Sequence, residues 1–374
     1  MEPLLTAVQL RDFRSYARAE AGLGGNLSVV HGPNGAGKSN LLEAIYYGCT
    51  GRSPRTRNER ELVRFGAEAT RVTVGLLEGS EPHELAVGFG ATAAEGQPSK
   101  RMSADGADVE RVLDLPFRPL VSVFLPDRLE LVKGPPALRR SHMDQLVAAL
   151  WPARAADRGE YSRALAQRNA LLGGIRGGRA SRASLGAWDA ELARAGLKVR
   201  EHRGRAVELL QDAFAERAHR LGISGEVSLR YRPRVTVADA DEYVRELAHR
   251  LERDLERGFS GYGPHRDELL VLREGRELRV YGSQGEQRLA LLALLLAERA
   301  VLAEERGQVP LMLLDDVMSE LDADRRETLA AELRSGGQSV IATTDLGYVP
   351  GAGDASVARL RISPGTVMQE AIAA

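Results

Sequence analysis

The sequence predicts an α/β fold interrupted by a helical insertion, on three observations. Gly32-Pro33-Asn34-Gly35-Ala36-Gly37-Lys38-Ser39 fits G-x-x-x-x-G-K-S, between a short apolar run and a helical pattern. A second apolar run, Pro310–Asp316, ends in two aspartates. Between them, from about Leu138 to Leu221, the chain turns helical, rich in Arg and Ala and poor in β-branched residues.

The elements follow in order. Leu4–Phe13 is expected as a strand, and Leu27–His31 as a buried strand entering the glycine loop. Asn40–Tyr47 continues as a helix. Arg71–Gly90 predicts two strands around a Gly-Ser-Glu-Pro turn, and Val121–Pro126 a further short β-run. In the helical middle, Val207, Leu210, Phe214 and Leu221 share one face, and Gly173–Ser184 parts two long helices. Val227–Val235 alternates like a strand, and Val244, Leu247, Leu251 and Leu255 form a helical stripe. Glu268–Gly282 predicts a hairpin around Gly275. A long helix follows, with Leu289, Leu292 and Leu296 inward, and Ser339–Asp345 is another apolar strand. The expected division is 1–126 and 258–374 as two parts of one α/β unit, with 127–257 as the insertion.

At 374 residues, 43% hydrophobic and 5% aromatic, the chain has an aliphatic core and is not disordered. The longest apolar run, Leu289–Ala297, is too short to span a bilayer, and nothing at the start resembles a signal peptide. Cys49 is the only cysteine, which excludes an intrachain disulfide and a cysteine metal centre. A soluble, cytoplasmic protein without a membrane partner is expected. The net charge of −1 means that any affinity for DNA must come from local patches.

The glycine loop is a phosphate cradle. Gly32, Pro33, Asn34, Gly35, Ala36, Gly37, Lys38, Ser39 and Asn40 are expected to hold ATP, with backbone N–H groups around the β-phosphate and Lys38 bridging to the γ-phosphate. The Ser39 hydroxyl would ligate Mg²⁺, and Asp315 would hold the ion through water. Successive strand residues face opposite ways, so Asp316 is expected to serve separately, as general base for the attacking water. Aspartate is one methylene shorter than the glutamate common at this position, which predicts slow hydrolysis. A second helix start, Ser283-Gln284-Gly285-Glu286-Gln287, has the form of an anion site but carries no lysine.

That turn resembles the signature motif of ABC-type ATPases. The resemblance implies that Ser283, Gly285 and Gln287 bind the γ-phosphate of ATP held by another copy, whose P-loop supplies the lysine. In that superfamily the two motifs lie at opposite ends of one head. Ser319-Glu320-Leu321-Asp322 resembles the D-loop, implying that Asp322 joins the catalytic interface. Thr343-Thr344-Asp345 stands where many such ATPases have a switch histidine, leaving Thr344 or Asp345 for that role. The blocks LRDFRSY, GPNGAGKSNLLEAIYY, GRSPRTRNERELVRFG, FLPDRLELVKGPPALRRSHMDQ, YSRALAQRNALL, GYGPHRDEL and LLDDVMSELD extend the likeness almost end to end. Together they resemble the RecF family of bacterial recombination mediators. The resemblance implies a P-loop NTPase of ABC/SMC head type with a helical insertion domain, using ATP and Mg²⁺. It further implies a slow, DNA-stimulated ATPase that dimerises on duplex or gapped DNA and works with RecO and RecR to load recombinase.

Three basic groups are candidate DNA contacts: Arg52, Arg55 and Arg57; Arg176, Arg179 and Arg182, with no acid near in sequence; and Arg230, Arg232 and Arg234, alternating on one strand face. No aromatic-interleaved single-strand platform is visible. His265 and Arg266 fit a packing role beside the core as well as a ligand contact. A transporter motor is disfavoured by the insertion, the missing histidine and the Gly-Pro-His-Arg-Asp block. A rod-forming structural ATPase is disfavoured because the helical stretch from about Leu138 to Leu221, under about a hundred residues, makes only a short hairpin at 1.5 Å per residue.

Overall fold

Pro3–Phe13 largely alternates buried and exposed side chains, so one face joins a core and the other meets water. In the computed structural model, which describes residues 3–91 and 98–370, this strand pairs antiparallel with Tyr16–Gly22 on one side and Ala69–Glu78 on the other. Glu81–Ala91, Pro98–Ala104 and Ala107–Asp108 extend the sheet to six strands. The turn at Gly79 joins the two strands expected there.

At its centre, a second sheet is built from mainly apolar runs buried on both faces, as parallel strands between layers are. Its order is Thr366–Glu370, Val357–Ser363, Leu27–His31, Ser339–Thr343, Leu311–Asp315 and Val121–Phe124. All neighbours are parallel except the terminal hairpin Val357–Ser363/Thr366–Glu370. The helix Lys38–Thr50 packs against both sheets: Leu41, Leu42, Ala44 and Ile45 share one core with Val8, Val72 and Val74 and with Val30, Leu313 and Ala342. Gly48 lets it lie flush, since a Cβ there would come 2.6 Å from a Val74 methyl. Cys49, on the same helix, is fully buried.

Contacts group the chain into two compact units. One comprises residues up to Arg128, Arg220–Gly222 and the chain from Leu302; the other comprises Leu129–His219 and Ile223–Val301. The second unit contains Pro136–Leu150, Ala155–Arg176 and most of Leu185–Arg220, the last two forming the expected helical pair. It also holds a three-stranded sheet ordered Arg276–Glu277, Glu268–Arg273, Val227–Arg232. Val207, Leu210 and Phe214 are buried as expected. Two expectations change. The stripe from Val244 to Leu255 is split at Arg250 into Ala240–His249 and Leu251–Arg257. The hairpin around Gly275 returns for only two residues before Leu278–Tyr281 folds as a helical turn, because the Gln287 amide takes up the carbonyls of Leu278 and Gly282.

The helical unit buries ions as well as oil. Arg168 is completely buried and donates to Asp189 at 2.6 Å, to Asp254 at 2.7 Å and to the Ser260 hydroxyl at 2.7 Å. A buried charge is tolerated only with partners, so removing the cation strands two carboxylates. Arg168→Met is therefore expected to cost about 3–5 kcal/mol, seen as a lower urea midpoint at neutral pH. A midpoint equal to wild type would refute the assignment.

Candidate functional site

The glycine loop joins the strand Leu27–His31 to the helix Lys38–Thr50 through positions that only glycine fills easily. Gly37 has φ +118°, and a Cβ there would lie 2.7 Å from the Tyr16 hydroxyl, which itself donates to the Gly37 carbonyl at 3.0 Å. At Gly32, φ +155°, a Cβ would strike the Ile362 carbonyl oxygen at 2.3 Å. Lys38 folds back into the loop and donates to the carbonyls of Gly32 at 2.8 Å and Pro33 at 3.0 Å. It is 7% exposed. Burial pushes its ammonium below the usual lysine range, while Asp316 and Asp315 pull it back.

The acidic strand end meets this loop. Asp315 ends Leu311–Asp315 and is hydrogen-bonded by the Ser39 side chain. Burial holds its carboxyl above the usual range; Ser39 opposes the shift and Asp316 adds to it. Asp316 departs from the strand alternation expected of it. Its φ is +51°, a left-handed conformation uncommon outside glycine, so the chain turns out of the sheet at this residue. Both carboxylates consequently act on Lys38. The Asp316 amide donates to the Ala342 carbonyl at 3.0 Å, and its Oδ1 is buried with no partner among the described residues. An ammonium resting on loop carbonyls, a serine hydroxyl on a carboxylate and an orphaned carboxylate oxygen suit a bound polyphosphate with its divalent ion.

Glu43, which sequence reading missed, is a bracing residue beside the loop. It is fully buried on the helix after the loop and accepts from Arg14 at 2.8 and 2.9 Å, Arg55 at 3.1 Å and the Ser53 hydroxyl at 2.6 Å. Arg55 also donates to Asn40 at 3.1 Å, and Asn40 to the Ser15 hydroxyl at 2.9 Å. Arg55, exposed like Arg52 and Arg57, thus braces the loop helix through these bonds. The signal available in sequence was a lone acid inside an apolar helical run.

The serine turn is a reciprocal capping box. Ser283 Oγ accepts from the Glu286 amide at 3.2 Å, and the Glu286 carboxylate accepts from the Ser283 amide at 2.8 Å. Those bonds, with the ion pair to Arg273, hold the Glu286 carboxyl below its usual range. Arg273 reaches on to the Ser224 carbonyl at 2.9 Å, tying the turn to the neighbouring loop. Gly285 leaves open space, a Cβ there meeting only Ser283 Oγ at 3.9 Å. Gln287 is buried and committed to the carbonyls below the turn. Near the acidic strand, the Ser319 hydroxyl donates to the Asp316 carbonyl at 3.0 Å, and Asp322 caps Ala323–Arg334 through the Arg325 amide at 3.0 Å. Asp345 caps Leu346–Tyr348 through the Gly347 amide at 2.8 Å, while Thr344 is half-buried beyond the strand Ser339–Thr343.

The basic groups fare differently. Arg182 does have an acid beside it: Glu252, distant in sequence, takes it as a forked pair. Arg176 donates to the Glu256 carbonyl at 3.4 Å, and Arg179 is exposed. Arg230 and Arg232 are exposed on the face of Val227–Arg232 opposite Leu229, and Arg234 is exposed just beyond. His265 is structural. Its Nε2 donates to the Ser260 carbonyl at 2.8 Å and its Nδ1 accepts from the Tyr161 hydroxyl at 2.6 Å. Arg266 is exposed, its guanidinium 5.3 Å from the Phe259 ring centroid.

In the parallel sheet, the strand that feeds the glycine loop and the strand that ends in aspartates flank Ser339–Thr343. That order, with the loop and acidic end meeting at Lys38, places the chain among P-loop ATPases of ABC and SMC head type. A family model described as an AAA domain matches residues 7–111. An SMC head solved with the C-terminal winged-helix domain of ScpA is 16% identical and covers 99% of this chain and 98% of its own, with a TM-score of 0.59, a likeness of fold. The solved structure of the recombination mediator protein RecF with ATP, in the RecFOR pathway, is 27% identical, covers 99% of this chain and 98% of its own, and has a TM-score of 0.85. DNA replication and repair protein RecF of Anaeromyxobacter sp. is 38% identical over 97% of this chain and 98% of the relative. That of Moorella thermoacetica is 34% identical over 92% and 91%. The chain belongs to the RecF family.

Burial first, then Arg266 and Arg140, depress the His265 imidazole to about 4, against a partly opposing bond to Ser260. The unfolded chain, near the ordinary 6.5, therefore binds more protons between these values, and stability falls as pH drops from about 6.5 to 4. The loss from this residue is of the order of 3 kcal/mol. His265→Gln should flatten that part of the pH dependence in urea titrations. An unchanged slope would show that His265 does not titrate on unfolding.

Proposed function

We propose that this chain is an ATP-gated DNA-binding protein of recombinational repair. Two copies close around two ATP molecules, each held by the P-loop of one copy and the Ser283 turn of the other. The closed dimer holds duplex or gapped DNA, helps RecO and RecR to load recombinase, and lets go after slow hydrolysis. The likeness to RecF proteins named for DNA replication and repair, and to RecF with ATP in the RecFOR pathway, supports this reading.

The observation that carries it is the orphaned Asp316 Oδ1 beside Lys38. Lys38 would exchange the Gly32 and Pro33 carbonyls for phosphate oxygens, keeping its charge in a buried site through the two aspartates. Ser39 and Asp315 would hold Mg²⁺, which when bound neutralises charge developing on the phosphates. Asp316 would accept the proton of the attacking water. The short side chain and left-handed backbone make that reach sensitive to local geometry, consistent with a switch rather than a rapid engine.

Asp316→Asn is expected to bind ATP normally and hydrolyse it about 10² to 10⁴ times more slowly, accumulating as an ATP-bound dimer on DNA. The measurement is DNA binding with ATP, ADP and no nucleotide, on duplex, single-stranded and gapped substrates, beside single-turnover hydrolysis. Equal binding in every nucleotide state would sink the gate. Normal turnover in the variant would remove Asp316 from the role of base.

For the DNA contact, the exposed strand face is the preferred site. Replacing Arg230, Arg232 and Arg234 with Ala should flatten the dependence of log K on log salt by roughly 0.9 for each phosphate that is no longer neutralised. Arg182→Ala, which removes a residue already paired with Glu252, should leave that slope unchanged. The reverse outcome would move the contact to the loop between the long helices.

A further inference from the structure

The helical turn before Ser283 has its polarity inverted. Leu278 is buried, but Val280 and Tyr281 are 61% and 70% exposed, while the polar Gln287 is 7% exposed beneath them. The presentation is rigid. The Gln287 amide donates to the carbonyls of Leu278 at 3.0 Å and Gly282 at 3.1 Å. At Gly282 a Cβ would lie 2.7 Å from the Leu278 carbonyl oxygen, so the chain packs there without room for a side chain. Arg276 lies 5.9 Å from the centroid of the Tyr281 ring, and Arg279 is paired with Glu277. Among the described residues, Val280 and Tyr281 are adjacent in sequence and both large, apolar and exposed.

We infer that Val280 and Tyr281 form an apolar dimer contact, covered by the P-loop face of a second copy of this chain. The inference rests on the proposed composite site and deepens it. Continuity supplies the occupant. Consecutive Cα atoms are about 3.8 Å apart, so those of Tyr281 and Ser283 are separated by at most about 7.6 Å. A protein surface that brings a γ-phosphate to Ser283 therefore comes within side-chain reach of the exposed Tyr281. A rigid aromatic loses little side-chain entropy when covered, and such residues supply a large share of binding energy at interfaces. The pair therefore ranks the triphosphate complex above the diphosphate only through closure: it makes no contact until the Ser283 turn is engaged.

The test uses the full chain in sedimentation with Mg²⁺ and either ADP or a non-hydrolysable ATP analogue, together with fluorescent-nucleotide binding at low protein concentration. The variants are Val280→Ser/Tyr281→Ser, Tyr281→Phe, and Ser283→Arg as a control. Wild type should dimerise with the analogue and not with ADP. The double variant should bind nucleotide normally and dimerise about ten- to a hundredfold more weakly, while Tyr281→Phe should dimerise like wild type because the ring, not the hydroxyl, makes the contact. A dimerising wild type with an equally tight double variant overturns this inference alone. So does a double variant that dimerises normally but loses DNA binding, which would make nucleic acid the occupant. A wild type that stays monomeric with the analogue overturns the composite site and this contact together.

Discussion

One ammonium group sets the terms for the P-loop unit. Lys38 is almost entirely withdrawn from water, and withdrawal lowers its hold on its proton. Two carboxylates at one strand end oppose that loss, and two carbonyls of its own loop accept its hydrogen bonds. Each of these groups must arrive from a separate element. The parallel sheet brings the aspartates, the tight glycine loop brings the carbonyls, and the Tyr16 hydroxyl from the antiparallel sheet closes over Gly37. Glu43, one turn further along the helix, gathers Arg14 and Arg55, so the loop helix is held by side chains as well as by its apolar core.

The helical unit follows the same rule with different residues. Asp267 accepts from Arg203 at 3.0 Å, from the Arg234 amide at 2.7 Å and from Tyr231, and Arg203 also reaches the Pro264 carbonyl at 2.7 Å. The Gly-Pro-His-Arg-Asp segment is thereby stitched to strand and helix through polar atoms that water does not reach. Gly263 marks the tightest place, where a Cβ would lie 2.3 Å from the Tyr161 hydroxyl. His265 and Asp267 are thus internal fasteners, and Arg266 is the member of the segment that faces outward.

What the sequence revealed follows from range. The strands Leu27–His31, Leu311–Asp315 and Ser339–Thr343 are mainly apolar and buried almost throughout, and the phosphate loop is a contiguous motif, so local pattern was enough. Tyr16–Gly22 and Thr366–Glu370 carry weak patterns and become strands because longer neighbours pair with them. The site divides in the same way. Ser283 and Glu286 form a cap within four residues of chain, whereas Glu43 acquires its meaning from Arg14, 29 residues away, and Arg182 meets Glu252 across 70. At Asp316 local pattern misled, since strand alternation stops where the backbone turns left-handed.

The buried Cys49 gives the molecule a practical asymmetry. Its thiol, on the loop helix itself, is pushed up to about 12 by burial, against an opposing pull from Arg118, and is out of reach of solvent. A thiol in that state is not a nucleophile at neutral pH. Maleimide dyes and spin labels should pass it by while the chain is folded. The natural chain is therefore a blank background for site-directed labelling. A cysteine placed on the fully exposed turn at Phe65 would be its single reactive handle, so that distances between copies could be followed through a nucleotide cycle without first removing a native residue from the core.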